Sequence, residues 1–388
     1  MTRFGHAMEK IDERIPGVDL PLMSVSQSRG VIRRSELTDA PQRAESLDNY
    51  KVCRADDIVF NKMSIRSGAM GVAAEDGLVT YHYEVMRPRE GTDPHFIAYL
   101  MKSSWFTKEL IKRERGIGAG DQANVRTTEV PFSVLKTIDA YIPDRAEQRA
   151  IAGYLDRETS RIDTLVEEQQ RLIAMLRERR DAEADALLGS PVQARHTTVK
   201  RALRPLSRPS VAGLGVVTAF RDGVVTLRSN RREGGYTFSN TEHGYQEIRP
   251  GDLVFHALDG FAGAVGVSDS HGNATPVYHV CEATAGDDLA YVARLLRYLG
   301  LNGFLATQAP NVRERSVDFR NWAMFGRLPL ALPPVEEQRR IVAHLDEQNA
   351  KTDTLIAESE RFIELARERR SALITAAVTG QIDVRGVA

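Results

Sequence analysis

Two stretches of this 388-residue chain read nearly alike: residues 332–341 are LPPVEEQRRI, and residues 142–151 are IPDRAEQRAI. The likeness continues without a gap, so that 18 of the 41 positions from 142 to 182 carry the same residue 190 positions later. A repeat of this length is the sequence sign of a duplicated structural unit. We therefore predict two related halves.

Both repeated stretches have the apolar spacing of a long helix. Apolar residues recur at intervals of three, four and seven, which is typical of a helix with a coiled-coil seam. About 40 residues would form a rod of roughly 60 Å, which cannot bury its apolar stripe alone. The two helices are therefore expected to pack on each other through Ile151, Leu155, Ile162, Leu165, Leu172, Leu176, Ile341, Leu345, Leu355 and Phe362.

Each helix ends in a run of charged residues, Arg-Glu-Arg-Arg, at positions 177–180 and 367–370. Mixed charges at this spacing are typical of a solvated helix face with internal ion pairs. This is the prediction for both runs.

The segments upstream of the two helices repeat more weakly, at an offset of 195 residues. Short apolar runs bounded by turns predict strands, and two stretches have helical periodicity. The predicted strands are Leu22–Ser26, Asp57–Phe60, Val216–Ala219 and Asp252–Phe255, and the predicted helices are Pro94–Ile111 and Asp288–Leu299. The fold class is therefore predicted to be α+β, with two globular strand-rich domains separated by two long antiparallel coiled-coil helices in a pseudo-two-fold internal repeat.

Composition limits the class of protein. Lys and Arg number 52 against 53 Asp and Glu, which gives a net charge of −1, so nucleic-acid binding would need local basic patches. The two cysteines, Cys53 and Cys281, lie far apart without a second ligand at metal-binding spacing, which favours a reducing compartment and argues against zinc. Long apolar runs are absent, so a cytoplasmic protein is expected.

Catalytic motifs are missing from the sequence. It contains no phosphate-binding P-loop, no H-E-x-x-H and no G-x-S-x-G. Residues 116–120, GIGAG, follow a charged stretch rather than a strand, so they are interpreted as a loop. We predict no catalytic residue and no metal site.

Local basic patches favour DNA binding. Arginine binds phosphates by charge and guanine through two hydrogen bonds, and asparagine pairs with adenine. The alternative is that these are solvated surface arginines, with the repeated Asn-Val-Arg segments as structural turns. Candidate DNA contacts, chosen by charge, loop context and repeat position, are Arg29, Arg33, Arg34, Lys62, Arg66, Asn124, Arg126, Arg221, Arg228, Arg231, Arg232, His256, Asn311 and Arg313.

The repeated helical segments carry a resemblance to a known family. The segment 332–341, leading into Leu345-Asp346, Asp353–Ile356 and Arg367–Arg370, resembles the conserved regions of type I restriction–modification specificity subunits. The closing residues 372–384, ALITAAVTGQIDV, resemble the C-terminus of that family. The first copy departs from the pattern, with Asp144 and Arg145 in place of a Pro-Val pair and Glu183 in place of Leu373.

The resemblance implies four regions. Residues 1–142 and 191–332 would be target recognition domains. Residues 143–190 would be the central conserved helical region, and 333–388 the distal conserved helical region with the C-terminal tail. Such subunits have no catalytic centre; each recognition domain reads one half of a bipartite, asymmetric DNA site in the major groove, and the helices set the gap.

The resemblance also implies partners. Two methyltransferase subunits, which hold S-adenosylmethionine, would bind this chain, and a motor–nuclease subunit would join to cleave unmethylated DNA. Two alternatives stay open: a specificity subunit of a fused restriction–methylation enzyme that cuts on both sides of its site, and a coiled-coil scaffold that binds only proteins.

Overall fold

Each repeated segment forms one continuous helix in the computed structural model of the chain. The first long helix spans Arg145–Leu188 and the second long helix spans Val335–Val378; with 44 residues each, they are about 66 Å long. The chain divides into two compact units: unit 1 comprises Met1–Gln170 and Glu360–Ala388, and unit 2 comprises Arg171–Ser359. The structure describes residues 1–27, 29–39, 46–113, 130–231, 244–308, 312–313 and 316–384.

The strands of unit 1 are β1 (Thr2–Arg3), β2 (Met8–Ile11), β3 (Met23–Ser26), β4 (Gly30–Arg33), β5 (Lys51–Cys53), β6 (Ile58–Asn61), β7 (Met70–Val72), β8 (Gly77–Val79), β9 (Tyr83–Pro88) and β10 (Asp139–Ala140). Four of them form an antiparallel sheet in the order β2-β9-β6-β7, and the others form the two-stranded pairs β1–β10, β3–β4 and β5–β8. The helices are α1 (Phe4–Ala7), α2 (Pro94–Lys102), α3 (Ser104–Arg113), α4 (Phe132–Leu135) and the first long helix, α5, with 3-10 turns at Arg34–Glu36 and Ile65–Ser67.

Unit 2 repeats these pairings with the sheet β12-β19-β16-β17 and the pairs β11–β22, β13–β14 and β15–β18, and it has a further pair, β20–β21. The strands are β11 (Arg195–Thr198), β12 (Leu203–Pro205), β13 (Val217–Ala219), β14 (Val225–Leu227), β15 (Gln246–Ile248), β16 (Leu253–His256), β17 (Val265–Val267), β18 (Gly272–Ala274), β19 (Tyr278–Ala283), β20 (Val312–Arg313), β21 (Ser316–Val317) and β22 (Pro329–Leu332). The helices are α6 (Val199–Ala202), α7 (Leu289–Leu301), α8 (Phe304–Gln308), α9 (Trp322–Phe325) and the second long helix, α10, with 3-10 turns at Arg228–Asn230 and Gly260–Ala262.

The predicted α+β fold with two long helices is confirmed, and the predicted strands β3, β6, β13 and β16 are all present. One helix prediction needs correction, because Pro94–Ile111 is two helices that meet at Ser103. The Oγ of Ser103 donates to the carbonyl of Leu100 at 2.6 Å and accepts from the amide of Phe106 at 3.1 Å. The same hydroxyl thus ends one helix and caps the next.

A buried glutamine holds each long helix to the globular part of its unit. Gln148 is 1% exposed; its Oε1 accepts from the amide of Asp93 at 2.7 Å, and its Nε2 donates to the carbonyls of Gly91 and Pro143. Gln338, its counterpart 190 residues later, accepts from the amide of Asp288 at 2.8 Å. The repeated Glu-Gln-Arg motif therefore supplies the polar connection at the start of each long helix.

The hydrogen bonds of Gln338 are completed on its amide nitrogen, which donates to Asp287 Oδ1 and to the carbonyl of Pro333, both at 2.9 Å. Asp287 in turn forms an ion pair with Arg195, whose Nη2 lies 2.8 Å from Asp287 Oδ2. A buried amide whose oxygen and nitrogen are both hydrogen-bonded holds the start of the helix in a single position.

Apolar packing accompanies each glutamine. In unit 1 the core contains Phe4, Phe60 and Phe96 together with residues of both long helices, namely Ile151, Leu155, Ile374, Ala377 and Val378. In unit 2 the corresponding core contains Phe255, Tyr291 and Phe325 with Leu188, Ile341 and Leu345. Burying an aliphatic side chain of this size stabilises the fold by roughly 1.5–3 kcal/mol.

Four of the residues predicted to pack along the helices do not do so. Leu165, Leu172, Leu355 and Phe362 are 37–46% exposed. The buried side chains at mid-helix are instead Ile162 and Ile173 on the first long helix and Ser359 and Ile363 on the second. The heptad assignment was therefore wrong. Spacing alone could not decide it, because a seven-residue step and an eleven-residue step, such as that from Ile162 to Ile173, each return to within about 20° of the same face of a straight helix.

The prediction for the Arg-Glu-Arg-Arg runs is also wrong for the last residue of each run. Within unit 1, Arg370 Nε lies 2.9 Å from Asp163 Oδ1 on the other long helix. Within unit 2, Arg180 Nη2 lies 2.5 Å from Asp353 Oδ1. The two pairs are related by the 190-residue repeat, so each unit holds its segments of the long helices together by the same interaction.

We predict that Gln338→Leu lowers the free energy of unfolding by about 3 kcal/mol, because it leaves the amide of Asp288 and the carbonyl of Pro333 buried without partners. Denaturant unfolding followed by circular dichroism measures this change. The control is Gln170→Leu at an exposed position of the first long helix, which should change it by less than about 0.5 kcal/mol. Equal effects of the two substitutions would contradict the role given to Gln338.

Candidate nucleic-acid interface

Eight of the fourteen candidate DNA contacts lie on or beside one hairpin in each unit. In unit 1 the hairpin is β3–β4, whose turn ends at Gly30 with φ of +70°. In unit 2 it is β13–β14, whose turn contains Gly223 with φ of +91°. Left-handed backbone favours glycine, so the sequence fixes both turns.

A second pair of glycines allows each hairpin to lie directly on the central sheet. A Cβ on Gly71 of β7 would meet the amide nitrogen of Val31 at 2.8 Å, and one on Gly266 of β17 would meet the carbonyl oxygen of Gly223 at 2.1 Å. These glycines are equivalent in the internal repeat. Their lack of a side chain explains why the motif around them recurs.

Unit 1 brings five of the predicted residues onto neighbouring loops. Arg29, Arg33 and Arg34 lie on the hairpin and the 3-10 turn after it, while Lys62 and Arg66 lie between β6 and β7. The two loops are joined by a hydrogen bond from Gln27 Nε2 to Ser67 Oγ at 2.9 Å. We name the β3–β4 hairpin with its following 3-10 turn, together with the loop between β6 and β7, the unit 1 hairpin surface.

Acidic neighbours pair with two of these arginines. Arg29 Nη2 donates to Glu36 at 2.9 Å, and Arg33 makes a two-pronged ion pair with Glu75. The hydrogen bond from Arg33 holds the pKa of the Glu75 carboxyl below its usual range. Exposed pairs of this kind contribute little to stability, so an arginine can exchange its carboxylate for a phosphate or a base at small cost.

Unit 2 carries the corresponding unit 2 hairpin surface, formed by the turn of β13–β14, the following 3-10 turn and the loop after β16. Arg221 pairs with Asp259 of that loop at 3.0 Å. Arg231 pairs with Asp222 at 2.6 Å and stacks over Phe220 with its Cζ 4.7 Å from the ring centroid. Arg228 is half-buried and donates to Thr218 Oγ1 at 3.3 Å.

The side chain of His256 holds the loop after β16 in place. Its Nδ1 accepts from the amides of Leu258 and Asp259, at 3.2 and 2.9 Å, and its ring packs edge-on against Tyr278. Burial lowers its pKa, with the nearby Asp259 carboxylate opposing that shift. The side chain is 17% exposed, so we leave His256 out of the hairpin surface.

Five predicted contacts concern residues whose side chains the structure does not describe. Asn124, Arg126, Arg232 and Asn311 lie outside the described residues, and only the backbone of Arg313, in β20, is within them. These remain predictions. Sequence reasoning also missed the acidic partners Glu36, Glu75, Asp222 and Asp259, because their pairing depends on loops brought together by the fold.

Other chemistry finds no support in the described part of the chain. Burial raises the pKa of Cys53 to about 11 and also raises that of Cys281, so neither thiol is a nucleophile at neutral pH. No cluster of three or more His, Cys, Asp or Glu among the described residues could hold a metal ion. Within the same residues, no helix has the length and apolar character needed to span a bilayer.

A duplicated strand-rich unit, a basic hairpin on each copy and two long helices define the class of this fold. No protein-family model and no curated protein sequence matches the chain. Among solved structures it is similar to the HsdS subunit from Thermoanaerobacter tengcongensis, with 16% identity, a TM-score of 0.59, and 98% of this chain and 96% of that chain covered.

A second similar structure describes the complex assembly and conformational transition of the type I R-M system; its TM-score is 0.72 at 14% identity, covering 98% of this chain and 97% of that chain. The chain therefore has the fold of type I restriction–modification specificity subunits. The resemblance inferred from the repeated motifs is confirmed at the level of the fold.

We predict that unit 2 becomes less stable as the pH falls below about 6.5. The folded pKa of His256 is lowered, so the unfolded chain takes up the proton first, and stability falls by at most about 1.4 kcal/mol per pH unit for this group. Denaturant unfolding at pH 7, 6 and 5 tests this. His256→Asn, which keeps an acceptor, should make the dependence shallower but not remove it, because burial also lowers the pKa of His279 in the same unit. His196→Asn at an exposed site should leave the slope unchanged; an unchanged slope in His256→Asn would refute the prediction.

Proposed function

We propose that this chain is the DNA-recognition subunit of a type I restriction–modification complex. Unit 1 and unit 2 would each read one half of a bipartite, asymmetric site through their hairpin surfaces. In this proposal residues 1–142 and 191–332 are the recognition domains, and 143–190 and 333–388 are the helical regions that set the spacing. The chain itself would perform no catalysis.

The observation that supports this proposal best is a duplicated scaffold whose surface side chains are only partly the same in the two units. Both units have the same strand pairings, a glycine under the hairpin (Gly71 or Gly266) and a buried glutamine at the start of a long helix (Gln148 or Gln338). The hairpins differ in part: Arg29 and Arg33 of unit 1 correspond to Gly223 and Leu227 of unit 2. Arg34 and Arg228, by contrast, begin equivalent 3-10 turns. Two equal scaffolds with different reading residues fit two different half-sites, because base identity is read by side chains in the groove.

The partners in this proposal are those that the resemblance to specificity subunits implies. Two methyltransferase subunits would supply methyl transfer and hold S-adenosylmethionine, and a motor–nuclease subunit would supply cleavage. The complex would act on double-stranded DNA in the cytoplasm. The lengths of the helices, about 66 Å each, correspond to roughly 19 base pairs at 3.4 Å per pair, which is ample for two short half-sites and a gap.

Two alternatives lead to different experiments. A specificity subunit of a fused restriction–methylation enzyme would read DNA in the same way but would have a different partner. A protein-binding scaffold would have no affinity for DNA. The arginines paired with Glu36, Glu75 and Asp259 favour DNA reading, since exposed ion pairs exchange readily for phosphate.

The first test maps methylation in a host that expresses this chain together with its modification subunit. We expect adenine methylation at one bipartite sequence with two dissimilar halves and a fixed gap. A host expressing the modification subunit alone is the control and should lack this methylation. A contiguous or palindromic motif would overturn the proposed division of labour between the units.

The second test measures DNA affinity against salt concentration. If the hairpin surfaces contact several phosphates, affinity of the chain with its modification subunits should fall at least roughly a hundred-fold between 50 and 200 mM salt. A double substitution, Arg33→Gln with Arg221→Gln, should make this fall less steep. The scaffold alternative predicts no measurable binding at either salt concentration.

A further inference from the structure

Arg297 of α7 lies against the turn of the unit 2 hairpin. Its Nη2 donates to the carbonyl oxygen of Arg221 at 3.4 Å. A Cβ on Gly223 would lie 2.9 Å from Arg297 Cδ, and a Cβ on Gly263 would lie 3.4 Å from Arg297 Nε. The side chain is therefore wedged between the hairpin turn and the loop after β16.

The same guanidinium is surrounded by charges from three elements. Asp222 of the hairpin and Asp181 of the first long helix attract it, whereas Arg294 of α7 and Arg180 of the first long helix repel it. Burial lowers the pKa of Arg297, so its charge is held in a partly dry environment in which these interactions are strong. The hydrogen bond to the Arg221 carbonyl and the packing on Gly223 join the hairpin turn to α7. Another residue of α7, Tyr298, donates a hydrogen bond to Asp185 of the first long helix.

The equivalent residue of unit 1 is Lys102, 195 residues earlier. Its ammonium group lies among charges of the long helices, Arg370 and Asp163, and burial lowers its pKa. Among the described residues, no hydrogen bond joins Lys102 to the unit 1 hairpin. In the part of the chain that the structure describes, Arg297 therefore differs from Lys102 in making a hydrogen bond to the hairpin of its own unit.

We propose that Arg297 is a positioning residue, which fixes the β13–β14 hairpin against α7 and so sets how strictly unit 2 reads its half-site. Removing the guanidinium leaves the reading side chains Arg221 and Arg228 present but frees the turn that carries them. The proposal rests on the proposed function. It differs from a purely structural role because its effect falls on one half-site and spares the other.

The test maps methylation for Arg297→Gln, Arg297→Lys and the matched control Lys102→Gln, each co-expressed with the modification subunit. In Arg297→Gln we expect discrimination to fall roughly ten-fold at one or more bases of one half-site, with the other half-site and the gap unchanged. Arg297→Lys, which keeps the charge facing Asp222, should restore part of that discrimination. Lys102→Gln should keep both half-sites as strict as in the wild type.

Two results would overturn the role of Arg297: both half-sites as strict as in the wild type, or both relaxed alike. If Arg297→Gln abolishes methylation because the chain does not fold, Arg297→Lys is judged by the same two criteria. A wild-type chain that directs no bipartite methylation would instead overturn the proposed function. The two failures are thus distinguishable.

Discussion

The buried amide at the start of each long helix is the constraint on which the rest of the fold depends. Gln148 and Gln338 each join the end of an extended segment, the first turn of a long helix and the cap of a globular helix. Because such an amide is costly to leave unpaired in the interior, the helix can leave its globular part in only one direction. Under the proposed function, the helices could set a defined spacing only if both are fixed in this way.

Repetition made much of the fold predictable. The two long helices, the strands around Asp57 and Asp252 and the turns at Gly30 and Gly223 all follow from residues that recur at constant offsets. The side of the helix that packs was harder to predict, because heptad and eleven-residue spacings both fit the apolar residues. The apolar pattern alone does not show that Ile173 is buried and Leu172 is exposed; the packing in the folded structure does.

The candidate site residues stay predictions, and the sequence could not supply their surroundings. Charge and loop context selected Arg33 and Arg221, but not their pairing with Glu75 and Asp259, which lie 42 and 38 residues away. Even a repeated residue can change its partner: Asp57 binds Arg87 of β9, whereas Asp252 binds Arg208 after β12. The position equivalent to Arg87 is Glu282, so the cation had to come from elsewhere.

The division of the chain has a consequence for its synthesis. Unit 2 is one uninterrupted segment and is complete once Ser359 has been made, whereas the core of unit 1 includes Ile374, Ala377 and Val378 from the far end of the chain. During synthesis on the ribosome, unit 1 is begun before unit 2 but can complete its core only after unit 2 has been made. Its exposed apolar residues wait for the second long helix, and they are the part of the nascent chain that most needs a chaperone's protection.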